Sequence, residues 1–429
     1  MKKIIIIGSG AGGATAAKEL QGDFEVTVLE EGGEFQPFPY NLNLLGRLKR
    51  TGVYFDPRQI QLLFPAMKIS RTSDNMVVVN GKGVGGATTL SAGNALRMDQ
   101  DLKKIGIDLD NEFAELYEEI PVTNNHQNLW QKPTQQLFQI CREMGLKPEP
   151  LPKFGDYRKC INCGQCVLGC RSGAKWDSRS FLNLAVDKGA RLITGCKAEK
   201  ILTENGKVTG VIAKKNFQKK FFPADLVILA AGGLGTPLVL KNSGFPCREQ
   251  LFIDPVLCIA AEWKDAHQNN ELSMPFYVKR EGYIISPYFD HLSYFFNRDW
   301  RYLAQNILSL MIKLADSNQG FINRQKITKQ LSDTDHQRLT EGTKLCQNIL
   351  EEMGIERSQM FKGLLNAGHP GGMFPLSEKE AETLHHQFLP DNLYIADASL
   401  LPVSLGAPPI LTIMALAKRV SKIINRKNH

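Results

Sequence analysis

Four of the nine cysteines crowd into eleven residues, at Cys160, Cys163, Cys166 and Cys170. Their CxxCxxCxxxC spacing is that of bacterial ferredoxins, and Gly164 and Gly169 let the chain wrap between them. It predicts an iron–sulfur cluster on these thiolates. Zinc also suits four thiolates, although its sites usually pair two CxxC knuckles across a longer loop. Redox-active or merely structural cysteines are the remaining alternative. In two-cluster ferredoxins the fourth cysteine of such a run serves the other cluster, and no second run exists here. Cys170 therefore binds locally or not at all. Cys141, Cys196, Cys247, Cys258 and Cys346 lack partner spacing and read as small buried residues.

The second chemistry-bearing segment is Gly8-Ser9-Gly10-Ala11-Gly12-Gly13, between an apolar run at Lys3 to Ile7 and a helical stretch at Ala14 to Leu20. Strand, glycine turn and helix together place a pyrophosphate on a helix N-terminus: Gly8 permits the turn, Gly10 the approach of the ligand, and Gly13 close helix–strand packing. A further strand, Glu25 to Leu29, ends in Glu30, where a carboxylate would bind a ribose hydroxyl. The turn itself does not separate FAD from NAD. Later segments fit the same domain. Asp225 to Ala230 reads as a buried strand running into Ala231-Gly232-Gly233, and Asn392 to Ala396 as another ending in Asp397. Pro408-Pro409 opens a helix to about Ile424, proline being well placed where no N–H is needed. With its N-terminus toward a flavin ring, that helix would stabilise negative charge there.

The order of these segments resembles the glucose–methanol–choline family of flavoprotein oxidoreductases, over most of the chain. The resemblance rests on GSGAGG with Glu30, Gly83-Val84-Gly85-Gly86-Ala87-Thr88, AAGGLGTP at 230–237 and ADAS at 396–399. It implies FAD, with Gly85, Gly86 and Thr88 near the isoalloxazine or pyrophosphate, Ala198 near the adenine and Asp397 near the ribityl–phosphate region. Ser91 stands where the family often has Asn. Some sugar dehydrogenases of the family hold a three-iron cluster with Cx5CxxxC spacing, which Cys160, Cys166 and Cys170 match; the extra Cys163 favours four irons.

Family members oxidise alcohols by hydride transfer to flavin while a histidine takes the hydroxyl proton. His369, in Asn366-Ala367-Gly368-His369-Pro370-Gly371-Gly372, matches the family's HxxG and is the catalytic candidate. His385 and His386 sit in a polar stretch and read as solvated surface. The family's second catalytic position, Asn or His before a proline, falls on Pro408, which can neither donate nor accept a proton. His369 then acts alone, or the enzyme reduces or introduces a carbon–carbon double bond.

The expected class is α/β: a discontinuous Rossmann-like FAD-binding domain (1–100, 181–250, 366–429), an α+β substrate domain (101–155, 251–365) and a cluster segment (156–180). Within the second domain, Tyr283 to Phe289 alternates like a strand and Thr334 to Met353 reads as a helix ending near Gly354. The aromatics from Tyr288 to Trp300 line a substrate pocket or form plain core.

At 429 residues, two connected domains are the better expectation, and 43% hydrophobic with 22% charged residues excludes a largely disordered chain. The net charge of +8 is scattered rather than blocked, which argues against nucleic acid. A membrane surface or an acidic redox partner fits it better. Only four apolar residues precede Gly8, too few for a signal peptide, and no run of about 18 apolar residues exists to span a bilayer. An odd, unevenly spread cysteine set fits a reducing cytoplasm.

A two-electron flavin beside a one-electron cluster suits a dehydrogenase that takes electrons from a small organic molecule. A one-electron redox protein or quinone-type compound would receive them. The reverse flow, and an electron-transfer subunit without substrate chemistry, are the competing readings.

Overall fold

The computed structural model describes residues 1–38, 61–62, 64–324 and 326–428; positions 39–60 of the first expected domain segment lie outside them. The N-terminal apolar run forms the strand Lys3–Ile7 at the centre of a five-stranded parallel sheet. The sheet order is Leu393–Ile395, Leu226–Leu229, Lys3–Ile7, Glu25–Leu29, Arg191–Ile193. Its inner strands are buried along nearly their whole length, which is why they read as unbroken apolar runs rather than alternating ones.

Helix Ala11–Leu20 leaves the first strand and packs against the C-terminal helix Ile410–Asn428. Lys418 on that helix, almost fully buried, bonds Glu19 at 2.8 Å and Glu119 at 2.9 Å. A three-stranded antiparallel sheet, Cys196–Glu204, Lys207–Lys215 and Gln218–Pro223, begins where the Cys196 N–H donates to the Glu30 carbonyl at 2.8 Å.

A second, nine-stranded sheet is built mainly from residues 255–367. Its centre is Pro255–Glu262 paired antiparallel to Ile307–Leu314, followed by Tyr283–Pro287 and Phe276–Arg280. Asn366–Ala367 joins the other side of Pro255–Glu262 and connects to Val77–Gly81 and Met67–Arg71. Helix Asp333–Glu352 packs on this sheet, started by a capping box of Ser332 and Asp335 and followed by Gly354 at φ +86°.

Three readings of individual residues change or resolve. Phe289, Tyr294, Phe295 and Trp300 are buried together with Phe35, Phe38 and Phe64, so this aromatic stretch packs as core. His386 is 2% exposed rather than solvated: its ring meets Phe374 edge-on at 4.3 Å, and its Nε2 lies 3.2 Å from the Phe374 carbonyl. The polar neighbours that suggested surface are local, whereas Phe374 comes from twelve residues away. Cys247 is half-buried, unlike the other four isolated cysteines. No helix among the described residues is long and apolar enough to cross a membrane.

Candidate functional site

At the glycine turn, Gly8 has φ +102°, and a Cβ there would stand 2.3 Å from the Ala230 carbonyl oxygen. A Cβ on Gly13 would stand 2.0 Å from the Gly8 carbonyl oxygen, so the helix seats directly on the turn. Gly10 caps the helix that starts at Ala11, and among the described residues no side-chain cap hydrogen bond occupies its first-turn N–H groups. Those donors suit an anionic ligand. A second glycine turn comes to the same place, for a Cβ on Gly86 would lie 2.9 Å from Gly10 Cα.

Glu30, 6% exposed, joins the two turns. Its Oε2 accepts from Ser9 Oγ at 2.6 Å and Ser9 N at 3.1 Å, and its Oε1 from Gly32 N at 2.8 Å and Gly83 N at 3.2 Å. Burial pushes its carboxyl above the usual range, and these four donors pull it partly back. Ser9 Oγ in turn accepts from Gly85 N at 3.1 Å.

Thr88 is buried, donating to the Gly85 carbonyl at 2.6 Å and accepting from Ser178 N at 3.0 Å. The Ser91 hydroxyl closes a local turn, donating to the Thr88 carbonyl and accepting from Gly93 N. Ala198 is buried on the strand that leaves Glu30. Asp397 accepts from Gly232 N at 2.8 Å, Thr236 Oγ1 at 2.5 Å and Ser399 N at 2.8 Å, which sets Ala231 and Gly232 against it. Burial raises its carboxyl, against those donors. Pro409 precedes helix Ile410–Asn428, and its carbonyl accepts from Ile413 N at 3.0 Å.

His369 is 27% exposed, and its Nδ1 lies 3.4 Å from Oδ2 of Asp254, which is 1% exposed. Lys313 Nζ stands 3.2 Å from the same oxygen. The other oxygen, Oδ1, accepts from the Ser404 hydroxyl and from Gly406 N, on the segment that leads into Pro408. Burial raises the Asp254 carboxyl, but Lys313, His369 and Ser404 together hold it below the usual range. Burial and then Lys313 lower the His369 pKa, and Asp254 opposes them. Asp254 and Lys313 are the residues that sequence reasoning missed. A single aspartate at φ +52° beside a strand, and a lysine within one, carry no spacing that singles them out.

The four cysteines of the run line one small cavity, with Tyr157, Lys175 and Glu271. Backbone N–H groups already point at two of the sulfurs: Asn162 N lies 3.4 Å from Cys160 Sγ and Lys175 N 3.4 Å from Cys170 Sγ. Gly164, at φ +65°, passes so close to Asn269 that a Cβ would meet its carbonyl oxygen at 1.8 Å. Burial pushes the Cys160 thiol up to about 11. Burial raises Cys170 too, but the Lys175 N–H, the Ser172 hydroxyl and the Lys175 charge leave it below the ordinary thiol value. Among the described residues, no three His, Cys, Asp or Glu side chains stand grouped as they would around a metal ion.

Parallel sheet, glycine turn at a helix N-terminus and covering antiparallel sheet make this an α/β fold of the dinucleotide-binding kind. The chain belongs to the GMC oxidoreductase family, whose model matches residues 2–256. A long-chain-alcohol oxidase of Arabidopsis thaliana is 25% identical, over 97% of this chain and 67% of its own length. An uncharacterized protein of Methanocaldococcus jannaschii is 26% identical over 98% of both chains. The crystal structure of pyridoxine 4-oxidase from Mesorbium loti superposes over the full length of both chains with a TM-score of 0.73, at 14% identity. By family, then, the chain is an FAD-dependent oxidoreductase.

Proposed function

We propose that the protein is a dehydrogenase of an alcohol-like CH–OH donor, in which His369 takes the hydroxyl proton. Electrons leave through an iron–sulfur cluster on Cys160, Cys163, Cys166 and Cys170 to a one-electron redox protein or quinone-type acceptor. The observation that carries the catalytic part is the His369–Asp254 pair. FAD bound at the glycine turn would supply the two-electron acceptor for the substrate's hydride.

The chain's own residues divide the remaining work. The first-turn N–H groups at Gly10, Ala11 and Gly13 bind the pyrophosphate, with Gly8 and Ser9 shaping the turn. Glu30 would serve the ribose, Ala198 would lie near the adenine, and Gly85, Gly86, Thr88 and Ser91 would wall the ring side. Ala231, Gly232 and Asp397 would hold the ribityl–phosphate region, and Pro409 would start the helix that faces the ring. Asp254, kept ionised by Lys313, holds a proton on His369 Nδ1 and so leaves Nε2 as the base. Pro408 supplies no second proton acceptor, which makes His369 the sole base.

Four thiols on one cavity, with backbone N–H groups at two sulfurs, are the donor set a four-iron cluster needs, and such hydrogen bonds tune its potential. Cluster chemistry supplies single-electron transfer, which an oxidase has no use for. The names of the long-chain-alcohol oxidase and the pyridoxine 4-oxidase favour a second reading, in which oxygen takes both electrons directly. Anaerobic mixing with a panel of alcohols tests the substrate class through flavin bleaching. Reoxidation by ferricenium then competes with reoxidation by oxygen: faster dye reduction supports the dehydrogenase, and faster oxygen consumption overturns it.

A further inference from the structure

Two lysines are buried beside the cysteine cavity, Lys153 at 0% and Lys175 at 4% exposure. Their ammonium groups bond neutral oxygens. Lys153 Nζ donates to Asn94 Oδ1 and the Ser273 carbonyl, both at 2.5 Å, and to the Ala92 carbonyl at 3.3 Å. Lys175 Nζ donates to the carbonyls of Thr89 at 2.8 Å, Ser91 at 2.9 Å, Thr88 at 3.1 Å and Cys166 at 3.1 Å. It thus spans from the glycine-rich 83–91 segment to the cysteine run. The Ser273 carbonyl that Lys153 bonds adjoins Leu272, which lines the cysteine cavity, and Lys175 lines that cavity itself.

A buried ammonium is costly unless an anion or several well-placed acceptors compensate it. Two of them side by side repel each other as well. Carbonyls meet the hydrogen-bonding requirement but carry no net charge. A four-iron core on four thiolates is doubly negative and would balance the pair, and an electron added to it would be attracted by both ammonium charges.

We infer that Lys153 and Lys175 are positioning residues for the cysteine cavity: their two charges hold an anionic cluster there and raise its reduction potential, while Lys175 fixes the cysteine run to the segment carrying Thr88 and Ser91. This rests on the cluster reading proposed above. It goes further, in making the affinity and potential of that site depend on side chains that ligate nothing. No bond forms or breaks in the electron uptake it concerns; one electron from the titrant enters the cluster.

The test uses the full chain reconstituted anaerobically with iron and sulfide. Iron and sulfide per chain and the midpoint potential, followed by low-temperature paramagnetic resonance, are measured for wild type, Lys175→Met, Lys153→Met and Lys153→Arg. Both methionine variants are expected to lose cluster or to hold it with a reduction constant at least about tenfold lower, which is about 59 mV for one electron. Lys153→Arg is expected to recover most of the shift, which a role in packing alone would not explain. Should Lys175→Met fail to retain FAD, Lys153→Met decides, because Lys153 bonds no carbonyl of residues 88–91. Unchanged iron content and unchanged potential in Lys153→Met overturn the inference while leaving the cluster in place. Wild type that takes up no iron and sulfide overturns the cluster reading, and this inference with it.

Discussion

Nδ1 of His369 lies 3.4 Å from Oδ2 of Asp254, an ion-pair distance, and neither atom makes a hydrogen bond to any of the described residues. The relation has a measurable sign. With His369 as the proposed base, substrate-driven flavin reduction would need the neutral imidazole, whose pKa burial holds below the ordinary value of about 6.5. The rate should therefore be flat above that pH and fall only as pH drops through the lowered pKa. Because the Asp254 charge raises the His369 pKa, Asp254→Asn should move the acid limb to still lower pH. It should also reduce the plateau by about 10²-fold, the cost of misplacing a reacting group by ~1 Å. A reduced plateau with an unmoved limb would show that Asp254 only supports the fold.

His369→Ala should slow substrate-driven flavin reduction by on the order of 10²–10⁴-fold. Flavin reduced by dithionite should still pass electrons to a dye at the wild-type rate. Stopped-flow absorbance separates the two half-reactions. Equal substrate rates in wild type and variant would remove His369 from the chemistry and, with Pro408 silent, favour a reaction at a carbon–carbon double bond.

Cys163→Ser discriminates between cluster types. Loss of one ligand from a four-iron site should leave Cys160, Cys166 and Cys170 able to hold three irons, seen as a changed paramagnetic resonance signal and about a quarter less iron. Zinc as the stoichiometric metal in the wild type would end the iron–sulfur reading.

Glu30→Ala leaves the N–H groups of Ser9, Gly32 and Gly83 without their acceptor, each at a cost of about 1–3 kcal/mol where water cannot reach. Both the melting temperature and the FAD recovered by chromatography of a denatured sample should drop. A lower melting temperature with FAD still stoichiometric would assign Glu30 to joining the two turns rather than to the ribose.

Gly12→Ala should be far more damaging than its chemistry suggests, since the added methyl would fall 1.6 Å from the Ala396 carbonyl oxygen. Helix Ala11–Leu20 must then lift off the sheet beside Asp397, and FAD should be lost on purification. Gly33→Ala, with nothing within 4 Å of its new methyl, is the control and should purify like wild type.

The parallel sheet was legible because its strands are apolar on both faces and its turn needs glycine at fixed offsets; Lys3–Ile7 and Glu25–Leu29 stand where the pattern puts them. The cysteine run was legible by spacing alone. What stayed hidden depends on partners distant in sequence. Nothing in the spacing of Lys153 and Lys175 singles them out; Asn94, Ser273 and the 88–91 carbonyls that close over them come from elsewhere in the chain. Asp254 needs Lys313 and His369, 59 and 115 residues further on by their numbering, before it is anything more than a turn residue. The turn pattern gives Gly12 no role of its own, because the carbonyl that forbids a side chain there belongs to Ala396.

The sheet order also dictates when this protein can be finished. Lys3–Ile7 gains its neighbour Leu226–Leu229, and that strand gains Leu393–Ile395, only after most of the chain has left the ribosome. At about 5–20 residues per second, the first strand waits roughly 20–80 s for the edge strand and the helix that cover it. Through that interval the nascent chain carries four consecutive isoleucines on an incomplete sheet. Such an exposed sheet edge is prone to aggregation, so a rare-codon pause placed before residue 393 should lower the soluble yield more than one placed after it.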